Sequence, residues 1–479
     1  MCLPVSEGGL DARAPSMLGD NGVHSPRTWV DGDQAHFRRH KERHSVARGF
    51  SVAVAGASVL RQAQLRFEAA ARRLELSEAE RELLGSPRLE LHFRIPVRLD
   101  DGRPRIFSGF CILHSDALGP AKGGLRFHPQ ESADRVRALA MGMTWQSAAL
   151  GLPLGGCAGG VICDPHGLGA HETEALARGW TRQAGAALGA RRLVPGPDVM
   201  VGERELMWLL DELETLGGAR APGAVAGKGL VLGGSRGCPQ AAGYGLVYLL
   251  REALRERDLR LDAVRVSVQG YGTVARHAVQ LLTQLGATVT CVSSWDAAAG
   301  AARAFVKPAG VDPRELEPIT DRHGSIDAAR AEALGYTVLP GDAWLEQEVE
   351  ILLPAALEQQ LREDNVARTH SALRLVVEGA GSAVSEGAAA ALAARGVAVL
   401  PDLLANAGGL VCSYFEQVQG EVNYAWDADE VLGRLDLTLT SAYQAVSALA
   451  ERARVDLREA ALLLAVERVA AACRARRWV

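Results

Sequence analysis

The stretch Val264–Val292 places the tightest limit on what this chain can fold into. A short apolar run from Val264 to Gln269 enters Gly270-Tyr271-Gly272-Thr273-Val274-Ala275. A helical pattern follows through Leu285, and a second apolar run spans Thr288 to Val292. Strand, glycine turn, helix and strand make a βαβ unit, because two parallel strands need a crossover of this length. The Gly-x-Gly-x-x-Ala turn has the form of a dinucleotide-binding fingerprint. Its first glycine makes the tight turn, its second lets a pyrophosphate approach the backbone, and the helix N-terminus faces the phosphates. The glycine pattern alone is weak, and its flanking strand and helix strengthen it. Gly270, Gly272, Thr273 and Val274 are therefore candidate cofactor contacts.

A chain of 479 residues is too long for a single core, so two or three domains are expected. The fold class read from the pattern is α/β in two domains, with C-terminal helices returning to the first. Residues 1–50 mix Gly, Pro, His, Arg and Asp without a period and read as a disordered arm. His36, His40 and His44 in that arm share i, i+4 spacing, which fits a solvated face better than a metal site. The first domain is assigned to residues 51–224. It has a helical pattern from Val52 to Leu84, a Ser77–Glu80 capping box, an alternating strand from Leu89 to Leu99, and helices over Thr173–Leu188 and Glu203–Leu216. Composition turns Gly-rich over Gly223–Ser235, which marks the hinge. Residues 225–405 form the second, Rossmann-like domain, with a helix over Ala241–Arg257 and later strands at Ile351–Leu353, Leu375–Val377 and Val397–Leu400. Residues 406–479 supply helices over Val431–Glu451 and Val455–Arg474.

A hydrophobic content of 48% with 23% charged residues suits a soluble globular protein. A net charge of −5 gives no reason to expect a nucleic-acid or anionic-membrane partner. No run reaches membrane-spanning length, and no signal-peptide apolar region opens the chain. The eight cysteines form no Cys-x-x-Cys pair and read as reduced thiols of a cytoplasmic protein, with no metal site. Lysine occurs only at Lys41, Lys122, Lys228 and Lys307, so few amines are present to do chemistry.

Several further motifs run in order from about Leu89 to Trp426. They include Gly119-Pro120-Ala121-Lys122-Gly123-Gly124-Leu125-Arg126-Phe127-His128-Pro129, Met143-Thr144-Trp145-Gln146, Gly155-Gly156-Cys157-Ala158-Gly159-Gly160 and Pro197-Asp198. Gly227-Lys228, Gly233-Gly234-Ser235, Pro354-Ala355-Ala356-Leu357-Glu358, Glu378-Gly379-Ala380, Pro401–Gly409 and Ser413-Tyr414-Phe415-Glu416 follow. Together they resemble the glutamate/leucine/phenylalanine/valine dehydrogenases, most closely the glutamate-specific members. The resemblance implies a substrate-binding and oligomerisation domain followed by an NAD- or NADP-binding domain. It also implies hexamers, and oxidative deamination of an amino acid to a 2-oxo acid.

The resemblance assigns roles to particular residues. Lys122 and Ser413 match the groups that hold a distal carboxylate of the substrate. Gln146 stands where the family has a lysine for the α-carboxylate, and a neutral bond there is roughly half as strong as a charge-assisted one. Ala158 stands at the catalytic lysine, and Asp198 matches the proton shuttle. Losing one donor that stabilises a reacting oxygen costs about 10²–10³ in rate. Ser235 and Asn406 match cofactor-side residues. Ser294 replaces the acid that holds the ribose hydroxyls, with Asp296 two residues on as a substitute, while Ala226 and Gly381 also depart from the pattern. Three readings stay open. The first is an impaired homologue acting as a regulatory or structural subunit, assembled with an active paralogue or with itself. The second is a working dehydrogenase with altered chemistry. The third is an amino-acid-sensing module.

Overall fold

The computed structural model describes residues 59–296, 299–321 and 323–479. The arm expected over residues 1–50, with its histidines, lies outside the described residues. The chain begins with α1 (Val59–Arg73) and α2 (Glu78–Leu84). The capping box forms as read: the Ser77 hydroxyl accepts from the Glu80 amide, and the Glu80 carboxylate accepts from the Ser77 amide at 2.8 Å.

The first sheet holds β1 (Leu89–Arg98), β2 (Pro104–Ser115), β3 (Ala121–His128), β4 (Gly155–Ile162) and β5 (Leu193–Pro197), in the order β1-β2-β4-β3-β5. β1, β2 and β4 pair antiparallel, while β3 runs parallel to both β4 and β5. Alternation along β3 sends Leu125 and Phe127 into a core with Trp180 and Leu176. That core is roofed by α4 (Ala170–Ala184) and α5 (Glu203–Gly217). Lys122, Gly124 and Arg126 point to the opposite face, which α3 (Ala133–Ala149) partly covers.

The second sheet has seven strands in the order β12-β11-β10-β6-β7-β8-β9. Five are parallel: β6 (Arg265–Gln269), β7 (Thr288–Asp296), β10 (Ile351–Pro354), β11 (Leu375–Val377) and β12 (Ala398–Leu400). β8 (Ala301–Val306) and β9 (Thr337–Pro340) add an antiparallel edge. The parallel strands are apolar on both faces because helices cover both sides. α6 (Cys238–Arg255), α7 (Thr273–Gln284), the short α8 (Pro313–Leu316), α9 (Ala328–Ala333) and α10 (Glu386–Ala394) make those layers. The direction of strand addition reverses between β6 and β10, which opens a crevice beyond their carboxyl ends.

The chain then passes through α11 (Asp402–Ala405) and α12 (Gly408–Val422) to α13 (Ala428–Ala453) and α14 (Leu457–Ala475). The return to the first lobe is made by α14. Leu463, Val466 and Val469 pack with Phe67, Met141 and Trp145, and the Phe67 and Trp145 rings stack at 5.5 Å. α13 stays with the second lobe, where Leu435, Leu439 and Tyr443 share a core with Leu246 and Leu250 of α6. No helix among the described residues is long and apolar enough to cross a membrane.

One ion pair pins α14 to the second sheet. Glu378 follows β11 fully buried and accepts from Arg458 Nη2 of α14 at 2.5 Å. Removing the guanidinium leaves a buried carboxylate without its counter-charge. Arg458→Ala is expected to cost about 3 kcal/mol in urea unfolding, and adding Glu378→Gln should return part of that loss. Equal midpoints for the wild type and Arg458→Ala would show that the pair contributes nothing.

Candidate functional site

A cavity of about 320 Å³ lies where the two lobes meet. Lys122, Gln146, Asp198, Asn406 and Ser413 all line it, together with Glu416 and Cys238. Strand β3 delivers Lys122 from one wall. Helix α12 delivers Ser413 and Glu416 from the other, one helical turn apart. Gly124 is needed between Lys122 and Asp198: a Cβ there would stand 2.6 Å from the Asp198 Cβ.

The Lys122 side chain is 1% exposed, and its ammonium donates to Gln417 Oε1 at 3.3 Å. Gln417 is itself oriented by donating to the Ala190 carbonyl at 2.7 Å. Burial brings the Lys122 pKa down to about 7; the Glu416 carboxylate opposes that shift and Lys228 adds to it. Lys228 and Glu416 form a fully buried pair, Nζ to Oε1 at 2.7 Å. Glu416 also accepts from the Gly227 amide at 3.0 Å, and Lys228 donates to the Val225 carbonyl at 3.0 Å. The Ser413 hydroxyl makes no hydrogen bond to protein among the described residues and is free for a ligand.

Asp198 directly follows β5 with a third of its side chain open, and its carboxylate accepts from the Val199 amide at 2.7 Å. Desolvation by the cavity walls raises its pKa, against the pull of Arg126, whose Nε lies 3.5 Å from Oδ1. Arg126 also faces the buried Glu131 at 3.7 Å. Ala158 is not on the cavity wall. It pairs with Ile112 across β2 and β4, and its methyl is sealed in an apolar cluster with Ile112, Val136 and Ala140. Lys122 is thus the one cation on this wall among the described residues.

Gln146 of α3 donates to Asn406 Oδ1 at 2.7 Å, a bond that spans the two lobes. Both residues also line a neighbouring cavity of about 370 Å³, which reaches Gly381, Ser382 and Glu358. With Met143, which lines both cavities too, the Gln146–Asn406 pair lies on the boundary between the two spaces.

The remaining expected residues lie elsewhere. Gly270 has φ +96° at the turn leaving β6, and its amide donates to Ser293 at 3.2 Å. Thr273 opens α7, followed by Val274. No side chain caps that helix, and a Cβ at Gly272 would meet open space, so the turn fits a pyrophosphate. Ser294 is buried, and its hydroxyl accepts from the Ile326 amide at 3.2 Å, so it faces the protein rather than a ribose. Asp296 ends β7 and accepts from the Ala299 amide. Ser235 is likewise turned inward, accepting from Gln419 Nε2 at 2.8 Å.

The expectation of free thiols throughout is corrected. Cys238 and Cys412 are joined in a disulfide, because the first turn of α6 packs beside α12 and brings their Cα atoms to 5.6 Å across 174 residues of sequence. Among the described residues, Cys111, Cys157, Cys163, Cys291 and Cys473 are free and buried. Neither the disulfide nor Arg126 and Glu131 had been picked out from sequence. Lys228 and Glu416 sat in quoted motifs, and the rarity of lysine was the signal that Lys228 does something particular.

The model of the Glutamate/Leucine/Phenylalanine/Valine dehydrogenase family matches residues 233–477, and that of its dimerisation domain matches residues 87–215. The chain is 34% identical over 406 residues to the NAD-specific glutamate dehydrogenase of Staphylococcus aureus (strain COL), covering 85% of this chain and 95% of that one. It superposes on the glutamate dehydrogenase of Peptoniphilus asaccharolyticus with TM-score 0.78 at 33% identity, over 88% of this chain and 100% of the other. It also superposes on the hetero-hexameric glutamate dehydrogenase of Thermus thermophilus in its leucine-bound form, with TM-score 0.78 at 33% identity, over 87% of this chain and 97% of the other.

A buried amine with no carboxylate in hydrogen-bond contact predicts a pH effect. Between about pH 7 and the ordinary lysine value the unfolded chain carries a proton that folded Lys122 lacks, so wild-type stability rises with pH across that window. Lys122→Met removes this dependence. It should stabilise the ligand-free chain by about 1–4 kcal/mol below pH 7, less as pH rises towards 10. Denaturant midpoints of the two proteins measured from pH 6 to 10 check this; a constant difference would refute the assignment.

Proposed function

Because the chain belongs to the glutamate/leucine/phenylalanine/valine dehydrogenase family, we propose that it is a glutamate dehydrogenase-like protein that binds its ligands but is catalytically impaired. In this reading it serves as a regulatory or structural subunit. One observation carries the reading: the Ala158 methyl is sealed against Ile112, Val136 and Ala140, and among the described residues no second cation replaces the missing one on the cavity wall.

In this proposal Lys122 and Ser413 hold the distal carboxylate of glutamate or 2-oxoglutarate. Gln146 holds the α-carboxylate by a neutral bond once it lets go of Asn406. Asp198 accepts or returns a proton, helped by a pKa that the cavity raises. A nicotinamide dinucleotide, when bound, accepts hydride from the substrate α-carbon. Gly270, Gly272, Thr273 and Val274 would hold its pyrophosphate, and Asn406 borders its reactive end. The inward turn of Ser235 and Ser294 fits weakened cofactor binding, and the NAD specificity of the Staphylococcus aureus relative supports NAD over NADP. No ammonium stands at Ala158 to polarise the carbonyl or imine, and among the described residues the nearby ammonium of Lys228 is engaged by Glu416 and the Val225 carbonyl.

The division into residues 51–224, 225–405 and 406–479, and a cytoplasmic setting, belong to the same proposal. So does assembly into a hexamer with itself or with an active paralogue. The hetero-hexameric Thermus thermophilus protein supports a mixed assembly in particular. Sensing of an amino acid through Lys122 and Ser413 is compatible with this role.

The purified chain, free of host dehydrogenase, should oxidise glutamate at trace rates or not at all, yet bind millimolar 2-oxoglutarate or glutamate in calorimetry. Ala158→Lys should give slight activity. Ala158→Lys with Gln146→Lys should give more, because misplacing a substrate by about 1 Å costs on the order of 10²-fold. Wild-type turnover of roughly 1 s⁻¹ or faster would overturn the impairment, and an active dehydrogenase with altered chemistry would then be the answer. No calorimetric binding with or without cofactor would overturn the ligand assignment.

A further inference from the structure

We propose that the Cys238–Cys412 disulfide is a reversible redox site. A dithiol reductant entering the cavity at the lobe junction reaches it, and its state sets the mobility of the cavity wall. Three observations carry this. The two sulfurs are unequal in access: Cys238 lines the cavity and is partly exposed, whereas Cys412 is 0% exposed. Cys238 is the first residue of α6, a helix of 18 residues, where the positive end of the helix dipole favours a thiolate. Glu416 Oε2 lies 4.0 Å from Cys238 Sγ and opposes that, but its charge is already shared with Lys228 and the Gly227 amide. Finally, the bond joins two segments that shape the ligand space. Gly237 closes the loop that carries Lys228, and Ser413 follows Cys412 directly.

Access decides the order of events. The reductant's first thiolate attacks Cys238 Sγ, and the Cys238–Cys412 bond breaks. The electron pair leaves on Cys412 Sγ, which takes up a proton. The second thiolate of the same reductant then attacks its own sulfur in the mixed disulfide and closes a cyclic disulfide. Cys238 leaves as a thiolate at the start of α6. Two electrons and two protons pass from the dithiol to the protein once Cys238 is protonated. A disulfide in a reducing compartment is usually transient or redox-sensing rather than structural, so the proposed cytoplasmic setting agrees with this use. Afterwards the loop over 225–237 is held to α12 only by the Glu416 hydrogen bonds and by Gln419 on Ser235.

The test uses the full chain and needs no ligand, so it stands apart from the dehydrogenase-like reading. Native protein is incubated with or without dithiothreitol, quenched by alkylation in denaturant, and mapped by mass spectrometry. Hydrogen exchange is read on the same samples. The expected result is a Cys238–Cys412 linked peptide without reductant, and its loss within minutes under native conditions. Reduction should speed exchange several-fold over residues 225–237 and 408–416, and lower Tm by roughly 5 °C. Cys238→Ser should exchange like the reduced wild type and ignore dithiothreitol. The proposal is overturned if no linked peptide forms under an oxidising disulfide buffer, if the link yields only after denaturation, or if reduced and oxidised wild type exchange alike over both segments.

Discussion

The cavity depends on one buried ion pair. Lys228 and Glu416 sit 188 positions apart and are both essentially without solvent. Neither charge could be buried alone, since desolvating one such ion costs several kcal/mol. Each must therefore find the other, and doing so draws the Gly-rich loop after β5 against α12. Glu416 also takes up the Gly227 amide, which fixes the backbone where the chain leaves the first lobe. The wall bearing Ser413 and the wall bearing Gly227 are thereby set at a fixed spacing, with Lys122 held close beside them.

Charge is scarce around that pair, and the shortage shapes what the site can do. Lys122 is desolvated and touches a neutral amide rather than a carboxylate. An anion would relieve that deficit of counter-charge, which is the physical basis for proposing a carboxylate ligand. Gln146 and Asn406 satisfy each other across the lobes, so the cleft is held by a neutral bond, which the proposed substrate would exchange for its own. Asp198 keeps a raised pKa, but its nearest cation is Arg126, behind it, and not an ammonium over the substrate. The residues proposed to hold a ligand are assembled, while the position proposed to act on it is an alanine packed into the sheet.

Much of the fold was legible before any coordinates, because the signals are local. The Ser77–Glu80 capping box, the alternation in Leu89–Arg98 and the glycine turn after β6 each depend on residues within a few positions of one another. Helix ends moved by a few residues, as at α6, which begins at Cys238 rather than Ala241, because terminal turns answer to tertiary packing as much as to periodicity. Of the substrate-site positions the resemblance assigns, Lys122, Gln146, Asp198 and Ser413 line one cavity and Ala158 does not, while Asn406, assigned to the cofactor side, lines it too. Which way Ser235 and Ser294 turn depends on Gln419 and Ile326, contacts 184 and 32 positions away.

By itself the sequence determined the α/β class, the dinucleotide-type turn, the small stock of lysines and the methyl at position 158. Those are matters of residue type and short-range spacing, where backbone propensity and side-chain chemistry act directly. Only the tertiary structure decided that Ala158 faces Ile112, Val136 and Ala140 rather than the cavity. It alone decided that Gln146 closes on Asn406, that Lys228 meets Glu416, and that Cys238 is bonded to Cys412. Each of these pairs is brought together by helices and strands packing to bury apolar surface, a force that is non-directional and leaves no local mark on the chain.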